Sequence, residues 1–257
     1  MDLFHNYSEF FESVTGNEPF PYQRELGEAS TWPKVLRVPT GAGKTLAVLC
    51  AWLWKRRFNP DPASKRNTPR RLVYCLPMRV LVEQVRDTVI EILKEAAHYE
   101  DAGEGIPIGV HVLMGGEPKV EWDLFPEEDA ILIGTQDMLL SRALNRGYAL
   151  SRYRWPIPYG LLNNDCLWIM DEVQLMGAGL GTSVQLDAFR RRWGTFGGSS
   201  TLWMSATLNP RWLHTADHQV PGAEDVIELG EQDFNSSYLS RIMRARSAGA
   251  RLECMCS

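Results

Sequence analysis

Val38-Pro39-Thr40-Gly41-Ala42-Gly43-Lys44-Thr45 is a glycine-rich turn ending in Gly-Lys-Thr, set between a strand-forming run at 34–38 and an apolar helical run at 46–54. Gly41 and Gly43 let the backbone turn sharply, so that consecutive N–H groups and a helix N-terminus face one anion. Thr40, Gly41, Ala42, Gly43, Lys44 and Thr45 are therefore candidate ligands of a nucleoside triphosphate. In this pattern the lysine reaches the β and γ phosphates and the threonine hydroxyl holds Mg²⁺. The strict form asks for glycine where this chain has Val38, so the match rests on the end of the motif. A glycine-rich turn with an incidental lysine is the bland alternative, and the flanking strand and helix weigh against it.

Outward from this turn, short aliphatic runs alternate with longer segments of helical period. That is the pattern of a parallel sheet covered on both faces, an α/β fold. Strands are expected at 34–38, 71–76, 108–113, 130–134, 167–170, 200–205 and 225–229, and helices at 22–27, 44–58, 78–99, 136–146, 183–192 and 236–246. The proline-rich stretch 59–69 reads as an exposed loop.

A length of 257 residues with 44% hydrophobic residues suits one large domain. The formal charge of −5 argues against a protein that coats nucleic acid with its whole surface, while leaving room for a local basic groove. Five cysteines, three of them inside apolar runs, fit a reducing compartment, and Cys254-Met255-Cys256 alone is a weak metal signal. The N-terminus lacks a signal-peptide pattern and no run of 18 apolar residues occurs, so a soluble cytoplasmic protein with no membrane partner is expected.

The second decisive stretch is Leu167-Trp168-Ile169-Met170-Asp171-Glu172-Val173-Gln174, an apolar strand delivering two carboxylates at its C-terminal end, where ligands collect in open parallel sheets. Asp171 is placed to bind Mg²⁺ and Glu172 to polarise the water that attacks the γ phosphate. Lys44 and Glu172 are thus the catalytic candidates, and Thr45 and Asp171 the metal ligands. Ser205-Ala206-Thr207 ends another strand with two hydroxyls, and alone it reads as an ordinary loop or cap.

Gly-Lys-Thr, then Asp-Glu-Val-Gln, then Ser-Ala-Thr is the order found in superfamily 2 helicases, and the chain resembles their first RecA-like lobe. The resemblance implies an ATP- and Mg²⁺-binding P-loop domain with a mostly parallel sheet and helices on both faces. Phe20-Pro21-Tyr22-Gln23 resembles the Q motif, in which Gln23 would read the adenine edge and an aromatic neighbour such as Tyr22 would pack on the base. Arg79 after Leu76-Pro77-Met78, Gly116 in Met114-Gly115-Gly116-Glu117, and Thr135 and Gln136 in Ile133-Gly134-Thr135-Gln136-Asp137 match loops that grip nucleic-acid phosphates. Gln174, Ser205 and Thr207 match positions that couple the nucleotide to motion. Taken singly, Arg79 also reads as a solvated charge, the paired glycines as a turn and Thr135 as a helix cap.

Within the superfamily, stretches 112–117, 131–144 and 160–168 look like the CRISPR-associated helicase-nuclease of type I systems. This likeness implies single-stranded DNA as track and a guide-RNA effector complex as partner. An RNA helicase of the same superfamily is the nearest alternative, and a nucleotide-dependent docking module that does not translocate is another. Three departures stand out. The first is Gln174 in place of the His or Asp of many relatives; the second is that no His-Asp pair of the HD nuclease occurs, Asp217-His218 being reversed; the third is an absent second lobe. Only 50 residues follow Thr207, too few for a second lobe. The expected organisation is an N-terminal extension at 1–14, a RecA-like domain at 15–230, and at 231–257 the start of a linker toward a second lobe that, with the nuclease, lies elsewhere. Trp52, Trp54, Trp168 and Trp203 are expected in the core; Trp32, Trp122, Trp155, Trp193 and Trp212 lie in or beside loops.

Overall fold

Every strand-forming run becomes a strand of a single parallel sheet in the computed structural model, which describes residues 4–99, 108–115, 122–147, 150–230 and 233. The strands are β1 Val35–Arg37, β2 Arg71–Leu76, β3 Gly109–Leu113, β4 Ala130–Thr135, β5 Cys166–Met170, β6 Ser199–Met204 and β7 Val226–Glu228. Their order across the sheet is β3-β4-β2-β5-β6-β1-β7, with all pairings parallel. Parallel neighbours need crossovers, and these are supplied largely by helices. The helices are α1 Tyr7–Thr15, α2 Pro21–Glu28, α3 Lys44–Leu53, α4 Pro62–Asn67, α5 Arg79–Ala97, α6 Gln136–Ala143, α7 Pro156–Leu162 and α8 Ala178–Trp193. The proposed helix at 236–246, Gly116 and the Cys254-Met255-Cys256 pair lie outside the described residues.

The period-2 geometry of strands divides the core in two. Leu36, Leu72, Tyr74, Leu76, Ile131, Ile133, Leu167, Ile169, Leu202 and Met204 face α1, α2, α3 and α5. Val35, Val73, Cys75, Leu132, Trp168, Met170 and Trp203 face α6, α7 and α8. Both sides of the sheet are covered, which is why its strands read as continuous apolar runs. Trp52, Trp168 and Trp203 are fully buried, and each indole N–H is satisfied, by Pro69 O at 2.8 Å, Leu162 O at 2.8 Å and Ser183 Oγ at 2.9 Å. Trp54 and Trp122 are buried too, whereas Trp193 and Trp212 are exposed.

Three helices were not anticipated. α4 sits in the expected loop, started by Asp61, whose carboxylate accepts from Ala63 N at 2.9 Å, with Pro62 in its first turn. α7 begins in a proline-containing stretch, Pro156-Ile157-Pro158, tolerated because the first helical turn has no hydrogen bonds to lose. α1 is the most consequential. Asn6 caps it by accepting from Glu9 N at 2.9 Å, and Gly16 ends it in the left-handed region at φ 70°. Its apolar stripe of Tyr7, Phe10, Phe11 and Val14 joins the sheet's own core cluster. Phe10 stacks on Phe58 with ring centroids 4.8 Å apart and meets Phe4 edge-on at 5.5 Å. α8 also starts earlier than expected, at Ala178. Among the described residues, no helix is long and apolar enough to cross a membrane.

Because Phe10 is fully buried, Phe10→Ala should cost about 3–5 kcal/mol of stability, read from urea unfolding of the domain. A loss under about 0.5 kcal/mol, the level of a surface change, would show that α1 contributes nothing to the core.

Candidate functional site

β1 carries the chain to the C-terminal edge of the sheet, and the turn that follows is shaped by Gly41 at φ 85° and Gly43 at φ 82°, both left-handed. Gly43 immediately precedes α3, so the turn passes straight into a helix N-terminus. Val38, the departure from the strict motif, is fully buried beside Leu36 and Ala42 and serves as a core residue. Two side chains of α2 hold the turn from behind. Tyr22 Oη donates to Ala42 O at 2.5 Å, and Gln23 Nε2 donates to Gly43 O at 3.3 Å while Gln23 Oε1 accepts from Phe20 N at 2.9 Å.

Tyr22 is therefore a buried prop for the glycine-rich turn, and burial pushes its phenol well up. Of Phe20 and Tyr22, it is Phe20 that lines the adjoining cavity. That cavity, about 480 Å³, is lined by Phe11, Thr15, Asn17, Glu18, Phe20, Gln23, residues 41–43 and Leu46. Its wall from α1 escaped the sequence reading, although Asn6 before an amphipathic run and Gly16 after it are cap signals that mark the helix.

The acidic pair follows β5. Lys44 Nζ lies 2.8 Å from Glu172 Oε1 and 3.6 Å from Asp171 Oδ1, with all three side chains largely buried. Asp171 Oδ1 accepts from Glu172 N at 2.8 Å, and Asp171 Oδ2 accepts from Tyr74 Oη at 3.0 Å. Glu172 itself is left-handed at φ 51°, one of three such non-glycine residues among those described, and the turn it makes starts a short 3₁₀ segment over Val173–Leu175. Burial raises the Asp171 carboxyl, against the opposing pull of Lys44. Burial also works to raise Glu172, but hydrogen bonds from Lys44, Gln174 and Thr40 prevail and hold its carboxyl below the ordinary range.

From Glu172 the contacts continue to the end of β6. Gln174 Nε2 donates to Glu172 Oε2 at 2.6 Å, Ser205 Oγ donates to Gln174 Oε1 at 2.6 Å, and Ser205 Oγ accepts from Thr207 N at 3.1 Å. Gln174 thus bridges Glu172 and Ser205. Thr207 enters through its backbone N–H, and its residue is exposed.

A second cavity, about 320 Å³, lies further along the same edge and is lined by Pro77, Arg79, Gly115, Thr135, Asp137 and Met138. Arg79 is exposed at the start of α5, and its guanidinium donates to Gly115 O. Thr135 is the N-cap residue of α6, though its side chain makes no capping bond. Gln136 is absent from the lining of this cavity; its side chain lies against Gly179 of α8. His218, from the reversed Asp217-His218 pair, is buried on the other side of the domain core, 3.4 Å from Asp187 and edge-on to Trp203.

Residues 25–216 match the family described as DEAD/DEAH box helicase. The chain belongs to the DEAD/DEAH box helicases. Three solved structures share the fold. The DUF1998 helicase MrfA bound to DNA and AMPPNP superposes with a TM-score of 0.62 at 17% identity, over 91% of this chain and 30% of that one. The yeast DEAD-box splicing factor Prp28 gives 0.56 at 20% identity, over 86% and 48%. S. cerevisiae Dbp5 L327V bound to RNA and ADP BeF3 gives 0.53 at 17% identity, over 89% and 50%. No curated protein matches the sequence. The chain spans a third to a half of these helicases and corresponds to a helicase ATP-binding domain with a RecA-like P-loop fold.

In this helicase domain Lys44 lowers the Glu172 carboxyl, so its stabilisation is complete above the ordinary carboxylate pKa and is lost as pH falls through the lowered value. Lys44→Met should cost the nucleotide-free protein on the order of 2 kcal/mol near pH 7, and progressively less below the ordinary carboxylate pKa of about 4.3, toward about pH 2.5. Urea unfolding at the two pH values checks this; equal losses at both would assign the cost to packing.

Proposed function

We propose that this domain is the ATP-binding lobe of an ATP-dependent helicase that moves along single-stranded DNA in CRISPR interference, an antiviral defence of the cytoplasm. The observation that carries the motor reading is the unbroken line Lys44, Glu172, Gln174, Ser205 at one edge of the sheet. The DNA and CRISPR parts rest on the likeness of 112–117, 131–144 and 160–168 to the type I helicase-nuclease. The DNA-bound MrfA neighbour is compatible with them, at an identity that speaks only for the fold. The second lobe, the HD nuclease, the effector complex and its guide RNA are the partners this reading requires. An RNA helicase is the second reading, because Dbp5 bound to RNA has the same fold.

The residues present fit Mg²⁺-ATP. The left-handed glycines leave a cradle at the start of α3, and a Cβ at Gly43 would come within 2.9 Å of Gln23 Nε2. Thr45 and Asp171 offer a hydroxyl and a carboxylate, oxygen ligands suited to a hard cation, and both contact Tyr74. When bound, Mg²⁺ would neutralise charge on the phosphates and polarise the one to be cleaved. The chain's own part follows from the ion pair. Lys44 is held by Glu172, and the same ammonium is the group that would hold a nucleotide phosphate. Glu172 Oε1 would then be free of Lys44 and, a carboxyl being ionised at neutral pH, would accept a proton from water. Gln174 remains bonded to its other oxygen and to Ser205, so a change of partner at Glu172 is felt at the end of β6.

Glu172→Gln should keep nucleotide binding and lower turnover in the complete motor at least 100-fold. Full activity in that variant would remove Glu172 as base. ATP turnover of the complete motor should rise with single-stranded DNA and remain unchanged with RNA of the same length; the reverse result would select the RNA reading.

A further inference from the structure

Tyr74 was read from the sequence only as part of a strand. In the structure it is a fully buried phenol at the floor of the phosphate site, contacting both candidate metal ligands. β2 lies next to β5 with Tyr74 opposite Ile169, so Tyr74 and Asp171, two residues beyond Ile169, project to the same face of the sheet. The ladder continues one step past the strand through Asp171 N donating to Cys75 O at 3.1 Å. The phenol oxygen is 3.0 Å from Asp171 Oδ2 and 3.3 Å from Thr45 Oγ1.

A phenol has one proton to give, whereas an ionised carboxylate can only accept. The Tyr74 proton therefore goes to Asp171 Oδ2, and the contact with Thr45 is filled by the Thr45 proton donated back to the phenol oxygen. This arrangement has a chemical consequence. With its proton turned toward Tyr74, Thr45 Oγ1 presents lone pairs elsewhere, the state in which a hydroxyl can ligate a cation. Asp171 is held at both oxygens, one by Tyr74 and one by Glu172 N.

We propose that Tyr74 is a positioning residue of the magnesium-nucleotide centre, its hydroxyl presetting Thr45 and Asp171 as a pair of cation ligands. This rests on the reading of the site as one for Mg²⁺-ATP. Outer partners that orient metal ligands typically govern metal affinity by about 10- to 100-fold, and the effect of Tyr74 should fall on the cation-dependent part of binding alone. Lys44, whose hydrogen bond is to Glu172, should retain its share of phosphate binding.

The test is a titration of the 257-residue chain with a ribose-labelled fluorescent ATP analogue, in EDTA and then over a range of Mg²⁺ concentrations. Tyr74→Phe keeps the ring and removes the hydroxyl. It should match the wild type in EDTA and need about tenfold more Mg²⁺ for half-maximal enhancement of binding. An unchanged Mg²⁺ requirement would overturn the proposal, as would an affinity loss of equal size with and without Mg²⁺, which marks a packing role. Tyr74→Met, whose flexible side chain can fill the ring's place without a hydroxyl, answers the same question should the Phe variant not fold. Lys44→Ala separates the two layers of inference. If it binds the analogue as the wild type does, the ATP-site reading fails and the Tyr74 proposal falls with it. If it loses binding while Tyr74→Phe is indistinguishable from wild type, only the Tyr74 proposal fails.

Discussion

A lysine ammonium that is only 6% exposed is stable in its charged form only if anionic partners come into the interior with it. Lys44 begins α3, and its partners Asp171 and Glu172 stand at the end of β5. In the sheet β5 is separated from β1 by β6, so the ion pair reaches across the end of an intervening strand. That strand must stop in small residues, and it does so with Ser205, fully buried, followed by Ala206. Ser205 is also bonded through Gln174 to Glu172. The charge that must be compensated, the strand order that brings its partners near, and the small residues between them are one arrangement.

Other features of the edge follow from holding these groups still. Glu172 occupies a left-handed conformation that costs a non-glycine residue on the order of 1–3 kcal/mol. The cost is offset where the turn directs its carboxylate at Lys44 and Gln174 and its N–H at Asp171. Behind the glycine-rich turn, Tyr22 and Gln23 bond to two consecutive carbonyls, and Gln23 also fastens Phe20 at the lip of the larger cavity. Asp233, after β7, accepts from Tyr22 N at 3.1 Å and is itself buried, so the chain leaving the sheet is tied to the helix that supports the turn. α1 completes the cavity wall with Phe11 and Thr15.

Much of this was legible in the sequence because the information is local. A glycine that must be left-handed, a lysine following it, an apolar run ending in two acids and the alternation of strand and helix periods can all be seen within a dozen residues. Those patterns suffice for a parallel α/β sheet, for the glycine-rich turn, and for naming Lys44, Thr45, Asp171 and Glu172, whereas Gln174 and Ser205 are named only through the resemblance to superfamily 2 helicases. They also mark one end of the sheet as the place where these residues gather, since parallel strands end on the same side.

Tertiary structure alone decided which side chains meet. That Tyr22 supports the turn while Phe20 lines the cavity depends on how α2 is rotated against α3. Gln136 lies against Gly179 because of the packing of α6 on α8, although its neighbour Thr135 lines the outer cavity. Tyr74 acquires its contacts only because β2 is the neighbour of β5, with a register that puts it on the face of Asp171. Within its own strand it is one of the five residues of an apolar run that follows Arg71. The direction of a side chain follows from local period, but its partners follow from strand order and helix packing, which join residues as far apart in the chain as Lys44 and Glu172.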